Sequence, residues 1–351
     1  MLKTKKNMAR RCAVLAIILI GCCLTPGIEA LATEITELVP MGCTVGIEMK
    51  MDGVLVVGLS NLETENGPFS PAGNAGIMPG DLLVRLGNCE IRSAQEFIDA
   101  ASKLTGEEVA VTVRRGERII QYSVKPLPTE DGAYQLGLWL RDSVSGIGTV
   151  TFYDPKSGLY GALGHSITDA DTGVIMPLGS GCIIGSTVVD VRKGCSGAPG
   201  ELCGHFDKNK NWGNILKNTP NGIFGIMMGG AFDVQQKAIP VAKEEEVKLG
   251  AATILANVSG TQVEEYAVEI TRIYRSNNSG KSMMLTVTDP KLLERTGGIV
   301  KGMSGSPIIQ NGKLIGAVTH VLVNNPDRGY GISIERMLEA AGGNKISNKA
   351  A

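Results

Sequence analysis

Apolar residues fall in short runs along most of this chain, and Gly, Asn or Pro ends nearly every run. Residues 42–47 and 53–57 read as strands. Residues 109–113 and 119–124 flank a turn at Arg115-Gly116, as in a hairpin. Further strand-like runs lie at 146–152, 173–176, 222–228 and 266–270, and 314–318 follows a turn at Asn311-Gly312. Helical periods are few. Residues 94–101 form a helix with Ser93 as its N-cap, and another is expected over 335–341. Many short strands and few helices predict a mainly β protein built as a barrel or sandwich.

A length of 351 residues suits two domains, and Pro126-Leu127-Pro128 reads as the linker between residues 33–127 and 128–351. Forty-six glycines and only 4% aromatics fit a turn-rich fold. A net charge of −1 gives no nucleic-acid footprint. Residues 1–32 stand apart. Lys3, Lys5, Lys6, Arg10 and Arg11 precede an apolar stretch from Cys12 to about Leu24. This is an export segment, read as a cleaved signal ending at Ala30-Leu31-Ala32, a retained membrane anchor, or a lipoprotein box at Leu19-Ile20-Gly21-Cys22. Each reading sends the rest of the chain across the membrane. Eight cysteines, five of them outside this segment, do not form a disulfide scaffold. One bridge among Cys182, Cys195 and Cys203 stays open. No metal or cofactor site is expected, since Cys195, Cys203 and His205 lack a fourth ligand.

Residues 70–83 read S-P-A-G-N-A-G-I-M-P-G-D-L-L. This string, with the helix and hairpin after it, resembles the PDZ domains. They add an extended peptide to a sheet edge beside a helix. The resemblance implies that Gly42, Cys43, Thr44, Val45, Gly46 and Ile47 hold a peptide ligand, its chain lying between that strand and helix 93–103. Gly42-Cys43-Thr44-Val45 departs from the G-L-G-F usual there.

The chemistry is concentrated in Gly302-Met303-Ser304-Gly305-Ser306-Pro307, followed by the apolar Ile308-Ile309. G-x-S-G-x-P is the string around the nucleophilic serine of chymotrypsin-like proteases. A serine nucleophile needs a tight turn and backbone N–H groups converging on an oxyanion. A base is needed as well, and only His165, His205 and His320 exist. His165 follows a strand-like run and precedes Ser304, the order a chymotrypsin-like enzyme has. His320 follows Ser304 by sixteen residues, on a strand that by resemblance lines the substrate pocket. His205 lies in a polar stretch. A second G-x-S-G-x-P, from Gly194 to Pro199, lies too close to His165 and lacks the apolar strand, so Ser196 reads as part of a structural turn. Asp169, Asp171, Asp190, Asp207, Asp233 and Asp289 all remain candidates for the acid that orients the base.

The export segment, the PDZ-like module, Gly161-Ala162-Leu163-Gly164-His165, the run from Val287-Thr288-Asp289-Pro290 to Ile309, and Gly316-Ala317-Val318-Thr319-His320 together resemble the stage IV sporulation protein B peptidases of spore-forming Firmicutes. The resemblance implies a PDZ domain followed by a chymotrypsin-like double β-barrel. It implies His165 as base, Ser304 as nucleophile and Asp289 as orienting acid, with the N–H groups of Gly302 and Ser304 as oxyanion hole. It also implies a regulated protease held by its N-terminus between the forespore and mother-cell membranes. Its protein substrates would be itself and a regulatory subunit of a membrane metalloprotease complex, which releases processing of a sigma factor precursor. A non-catalytic PDZ scaffold and a periplasmic quality-control protease are the alternatives.

Overall fold

The structure is a computed structural model and describes residues 35–65, 67–228, 236–275 and 280–342. The export segment lies outside the described residues. Among those described, no helix is long and apolar enough to cross a membrane.

Two six-stranded rings dominate. The first contains β2 (Thr44–Leu59), β6 (Leu138–Tyr153), β7 (Leu159–Ala162), β8 (Ser180–Arg192), β9 (Glu201–Thr219) and β10 (Gly222–Met227). Its order is β6-β7-β10-β9-β8-β2, and pairing of β2 with β6 closes the ring. Strand β1 (Glu37–Pro40) joins the end of β6. The second ring is a closed barrel of β11 (Gly250–Ser259), β12 (Gln262–Ile273), β13 (Met283–Val287), β16 (Asn325–Ser333), β15 (Lys313–Leu322) and β14 (Pro307–Gln310). The double barrel therefore stands as expected.

Alternation explains both interiors. Along β2, Val45 and Ile47 point inward with Val150, Tyr160, Ile183 and Ile223. Along β12, Tyr266, Val268 and Ile270 are buried while Glu265, Ala267 and Glu269 face out. Each fully buried side chain of this kind contributes roughly 1.5–3 kcal/mol. Helix α4 (Ile334–Ala341) seats Ile334, Met337 and Leu338 against Phe152 and Phe224, joining the second barrel to the first.

The PDZ-like module is spliced into the first barrel. It consists of α1 (Pro71–Ala75), β3 (Leu82–Leu86), α2 (Ala94–Ala101), β4 (Val109–Arg115), β5 (Arg118–Val124) and the distal halves of β2 and β6. Its core is Val54, Val56, Ile77, Leu83, Leu86, Val111 and Val113. Met49, Met51, Leu55, Leu82 and Met176 fill the junction with the barrel. Ser93 caps α2 as expected, its hydroxyl accepting from the Glu96 N–H.

Three expectations change. The module does not begin at residue 33 and end at 127, because β1 and the first half of β2 belong to the barrel and the chain returns through β6. Val45, Gly46 and Ile47 pair with β8 on one side and β6 on the other, so no edge there is open to a peptide. Gly42, Cys43 and Thr44 are equally committed: Gly42 and Cys43 bond Val150, and Thr44 is buried opposite Thr149. Burial pushes the Cys43 thiol up to about 12. Lastly, residues 173–176 form a loop with one bridge, Thr168 to Ile175, not a strand.

Candidate active site

His165 and Ser304 reach one pocket from different barrels. His165 lies just past β7, and the step into it is unusual. Leu163 has φ 67°, a region a buried leucine seldom occupies. Its N–H donates to the Thr149 carbonyl at 3.2 Å, which holds the turn against β6. The His165 Nδ1 lies 2.8 Å from the Ser166 carbonyl oxygen. A carbonyl only accepts, so Nδ1 carries the proton and Nε2 is left as the basic nitrogen. Burial lowers the His165 pKa below its ordinary value, and the Ser166 bond opposes this in part.

Ser304 lies in the loop between Val300 and Pro307. Gly305 follows it with φ 101°, and a Cβ there would sit 2.0 Å from the Thr149 oxygen. That explains the glycine after the serine. The Ser304 hydroxyl donates to the Thr319 carbonyl at 2.6 Å and makes no hydrogen bond to His165. Thr149 clamps the loop at three points. Its N–H donates to the Ser304 carbonyl at 3.0 Å and its Oγ1 to the Gly302 carbonyl at 2.7 Å, while its own oxygen abuts Gly305. Among the described residues the N–H groups of Gly302 and Ser304 meet no protein acceptor, whereas those of Met303, Gly305 and Ser306 do. The two free donors thus flank Met303.

The pocket holds about 290 Å³. Ile47, Ile147, Leu163 and Ile167 give it apolar walls, and His165, Lys301, Gly302 and Ser304 supply the polar groups. The His320 ring lies 4.8 Å from that of His165, tilted by 40°. Burial, His165 and Lys281 push the His320 pKa down to about 4, so it is uncharged at neutral pH.

Asp289 is elsewhere. It is the N-cap of α3 (Pro290–Thr296), accepting from the Lys291 and Leu292 N–H groups and from Ala267 N–H. Its D-P sequence suits a cap followed by proline at the first helical position. Asp169 and Asp171 bind Arg141, and Asp207 pairs with Lys210. Asp190 accepts from the Val191 N–H. Asp233 lies outside the described residues. Among the described residues, no carboxylate bonds His165.

The second G-x-S-G-x-P joins β8 to β9 as a turn closed by Cys195 and Ala198. Ser196 is exposed there, and Gly194 and Gly200 bond Thr296 and Lys301 on the segment leading to Ser304. His205 pairs across to Thr187 in the first barrel, with its side chain exposed. The five described cysteines are free thiols. Sequence reasoning missed Thr149 and assigned Ile47 to a peptide groove instead of this pocket. Both sit in strands whose pattern shows burial but not that a buried residue touches the nucleophile loop.

Comparison with known proteins bears on this geometry. The chain is 33% identical over 79 residues to a protein of Synechocystis named as a serine protease, HhoB. It is 25% identical over 113 residues to a protein of Clostridium perfringens named as a zinc metalloprotease. These matches take in 22% and 30% of this chain but span only 17% and 34% of the two relatives' lengths. Among solved structures, the PDZ domain of an SdrC-like protein from Listeria monocytogenes matches 25% of this chain and 87% of its own, at 25% identity and a TM-score of 0.21. The model of SpoIVB peptidase S55 matches residues 132–338, more than half of the chain and both walls of the pocket. The chain belongs to the SpoIVB peptidase S55 family.

Proposed function

We propose that the protein is a serine endopeptidase in which Ser304 is the nucleophile and His165 the general base. The observation that carries this is the meeting of both side chains in one pocket beside the two free N–H groups of Gly302 and Ser304. Rotation about the Ser304 Cα–Cβ bond brings Oγ from the Thr319 carbonyl to His165 Nε2; hydroxyls of resting enzymes often sit outside the reactive hydrogen bond. The Ser304 oxygen then attacks the peptide carbonyl carbon while its proton passes to Nε2. The oxyanion forms against the Gly302 and Ser304 N–H groups, where one donor is worth about 3 kcal/mol. Collapse breaks the C–N bond, and the amine leaves with the Nε2 proton. Water attacks the acyl-enzyme, gives its proton to Nε2, and releases the acid as Ser304 regains its hydrogen.

Among the described residues the Ser166 carbonyl orients His165, since it fixes the tautomer through Nδ1–H. The reading extends, on family grounds, to an exported protease of sporulation signalling that cuts itself and a regulatory subunit of a membrane metalloprotease complex. A non-catalytic scaffold is the second reading, favoured by the Ser304 bond to Thr319 and by no carboxylate among the described residues bonding His165.

One experiment separates them. The full chain and its Ser304→Ala form are exposed to a fluorophosphonate probe and followed for self-cleavage. We expect labelling and cleavage in the first only, the loss in turnover being up to about 10⁶-fold. Equal behaviour of the two proteins assigns the chain to the scaffold reading.

A further inference from the structure

Strand β6 runs unbroken from Leu138 to Tyr153, and one of its edges is taken by β2 along residues 138–149. The other edge is paired only near its end, where β7 meets Val150, Phe152 and Tyr153. From Leu138 to Ile147 no strand covers it among the described residues.

The phase of this edge is fixed. Thr149 turns its N–H and C=O away from β2, toward Ser304 and Leu163, while the Val150 N–H turns inward to Cys43. Backbone groups alternate along an antiparallel strand. Ile147, Ser145 and Ser143 therefore present their N–H and C=O groups outward, in line with Thr149. The pairing of residues 143–149 with β2 carries no register shift that would break the alternation.

Isolated edges are usually guarded by lysine, proline or a bulge. Here Ser143-Val144-Ser145-Gly146-Ile147 carries neither charge nor proline, the charged Arg141 and Asp142 before it are taken up by Asp169, Asp171 and the Ala94 N–H, and a Cβ on Gly146 would meet nothing within 4 Å. The active-site pocket runs along the same edge, with Val144 to Ile147 on its wall opposite Ser166 and Thr168. At its far end the strand is tied to the PDZ-like helix, where the Ala94 N–H opening α2 donates to Asp142 at 2.9 Å. Trp139 on β6 and Ile98 on α2 are 64% and 57% exposed at that end.

We propose that the substrate polypeptide adds to β6 as an antiparallel strand, and that this one edge carries it from Ser304 to the PDZ-like module. The inference rests on the peptidase reading and names its substrate class: a segment able to lie extended for about ten residues, roughly 30 Å, beyond the scissile bond. Antiparallel addition matches every pairing β6 already makes. Since β6 runs from the module toward Ser304, the substrate runs the opposite way. The residues after the cut lie along Ile147, Ser145 and Ser143, and reach α2 last. The module then holds the leaving fragment, and recognition there sets which bond reaches Ser304.

Hydrogen exchange tests this on the full-length Ser304→Ala protein, with unstructured β-casein as probe. We expect amides of residues 138–147 to slow about tenfold or more when casein is added. Binding of casein without that protection overturns the proposal, as does protection confined to α2 or to residues 301–320. A Ser143→Pro variant gives a second reading. Ser143 lies outside the pocket and its N–H is unpaired, so proline removes an outward donor and no ladder bond. Its KM for casein should rise about tenfold with an unaltered melting temperature, and an unchanged KM overturns the proposal. Fluorophosphonate labelling of the wild type keeps the two ideas apart. Labelling without protection sinks the track alone, while protection without labelling leaves the track and sinks the peptidase.

Discussion

Gly305 tolerates nothing larger, and its reason lies across the barrel interface. Its φ of 101° and the 2.0 Å approach to the Thr149 oxygen mean that Gly305→Ala must push the nucleophile loop off β6. We expect a loss of about 2–4 kcal/mol in stability, read from denaturant unfolding, and loss of fluorophosphonate labelling. Its neighbourhood also sets the pH response. Burial holds the His165 pKa below 6.5, and the base works only when neutral. Activity is therefore full at pH values above the ordinary histidine midpoint and is lost as pH falls through the lower pKa of the folded enzyme. The acid limb of kcat/KM for casein should lie below pH 6.5, and His320→Lys, which puts a cation in place of a ring that lies beside His165, should move it lower still. At this scale a short glycine-bounded string and chain order single out Ser304 and His165 in the sequence, and the two line one pocket. The sequence was not informative about Asp289. A strand-end Asp-Pro serves an acid and a helix cap equally well, and only the neighbours decide. Asp289→Asn keeps a capping side chain, so it should leave kcat within about threefold, where loss of an orienting acid costs about 10⁴-fold; Asp289→Ala should cost about 1 kcal/mol of stability.

Among the elements, β6 does more than its hydrophobic pattern suggests. The run Gly146–Phe152 reads correctly as a strand, and the alternation places Val150 and Phe152 in the barrel. Nothing in that alternation distinguishes Thr149, whose hydroxyl ends on the Gly302 carbonyl. Thr149→Val keeps the shape and deletes this bond, leaving a buried carbonyl with one partner fewer. We expect kcat to fall with KM little changed, by a factor of about 5 to 150 for an unsatisfied group costing 1–3 kcal/mol. A Thr149→Ser form should restore most of it, which a packing defect would not allow. The mis-set element was β2. Residues 42–47 and 53–57 read as two separate strands, and the structure joins them through β2. Gly53 has φ 130°, yet the chain continues in one strand, and the extra residues are absorbed as a slip in register between Lys50 and Leu55.

That slip matters for the molecule as a whole, since it is where the peptidase barrel becomes the PDZ-like module. Periodicity reports which residues are buried and not which core buries them, so Val45 and Val54 looked alike although they belong to different interiors. The boundary drawn at Pro126-Leu127-Pro128 follows from that ambiguity. A chain comprising residues 128–351 alone lacks β1 and β2, and β8 would lose the partner that closes the first barrel. We expect it to fail to fold, with no cooperative thermal transition. The structure indicates a different cut. Met49 and Val144 stand opposite each other on β2 and β6 in the hydrogen-bonded phase, so residues 50–143 can be replaced by an Asn-Gly turn that joins the two strands as a hairpin. Removal of the junction core of Met51, Leu55 and Leu82 exposes Met49 and Met176, and a few kcal/mol of stability should go with it. The shortened protein should still unfold cooperatively and label at Ser304, because both pocket walls remain. If it melts without a transition while residues 128–351 fold, the barrel does not depend on β2 and the spliced arrangement is wrong.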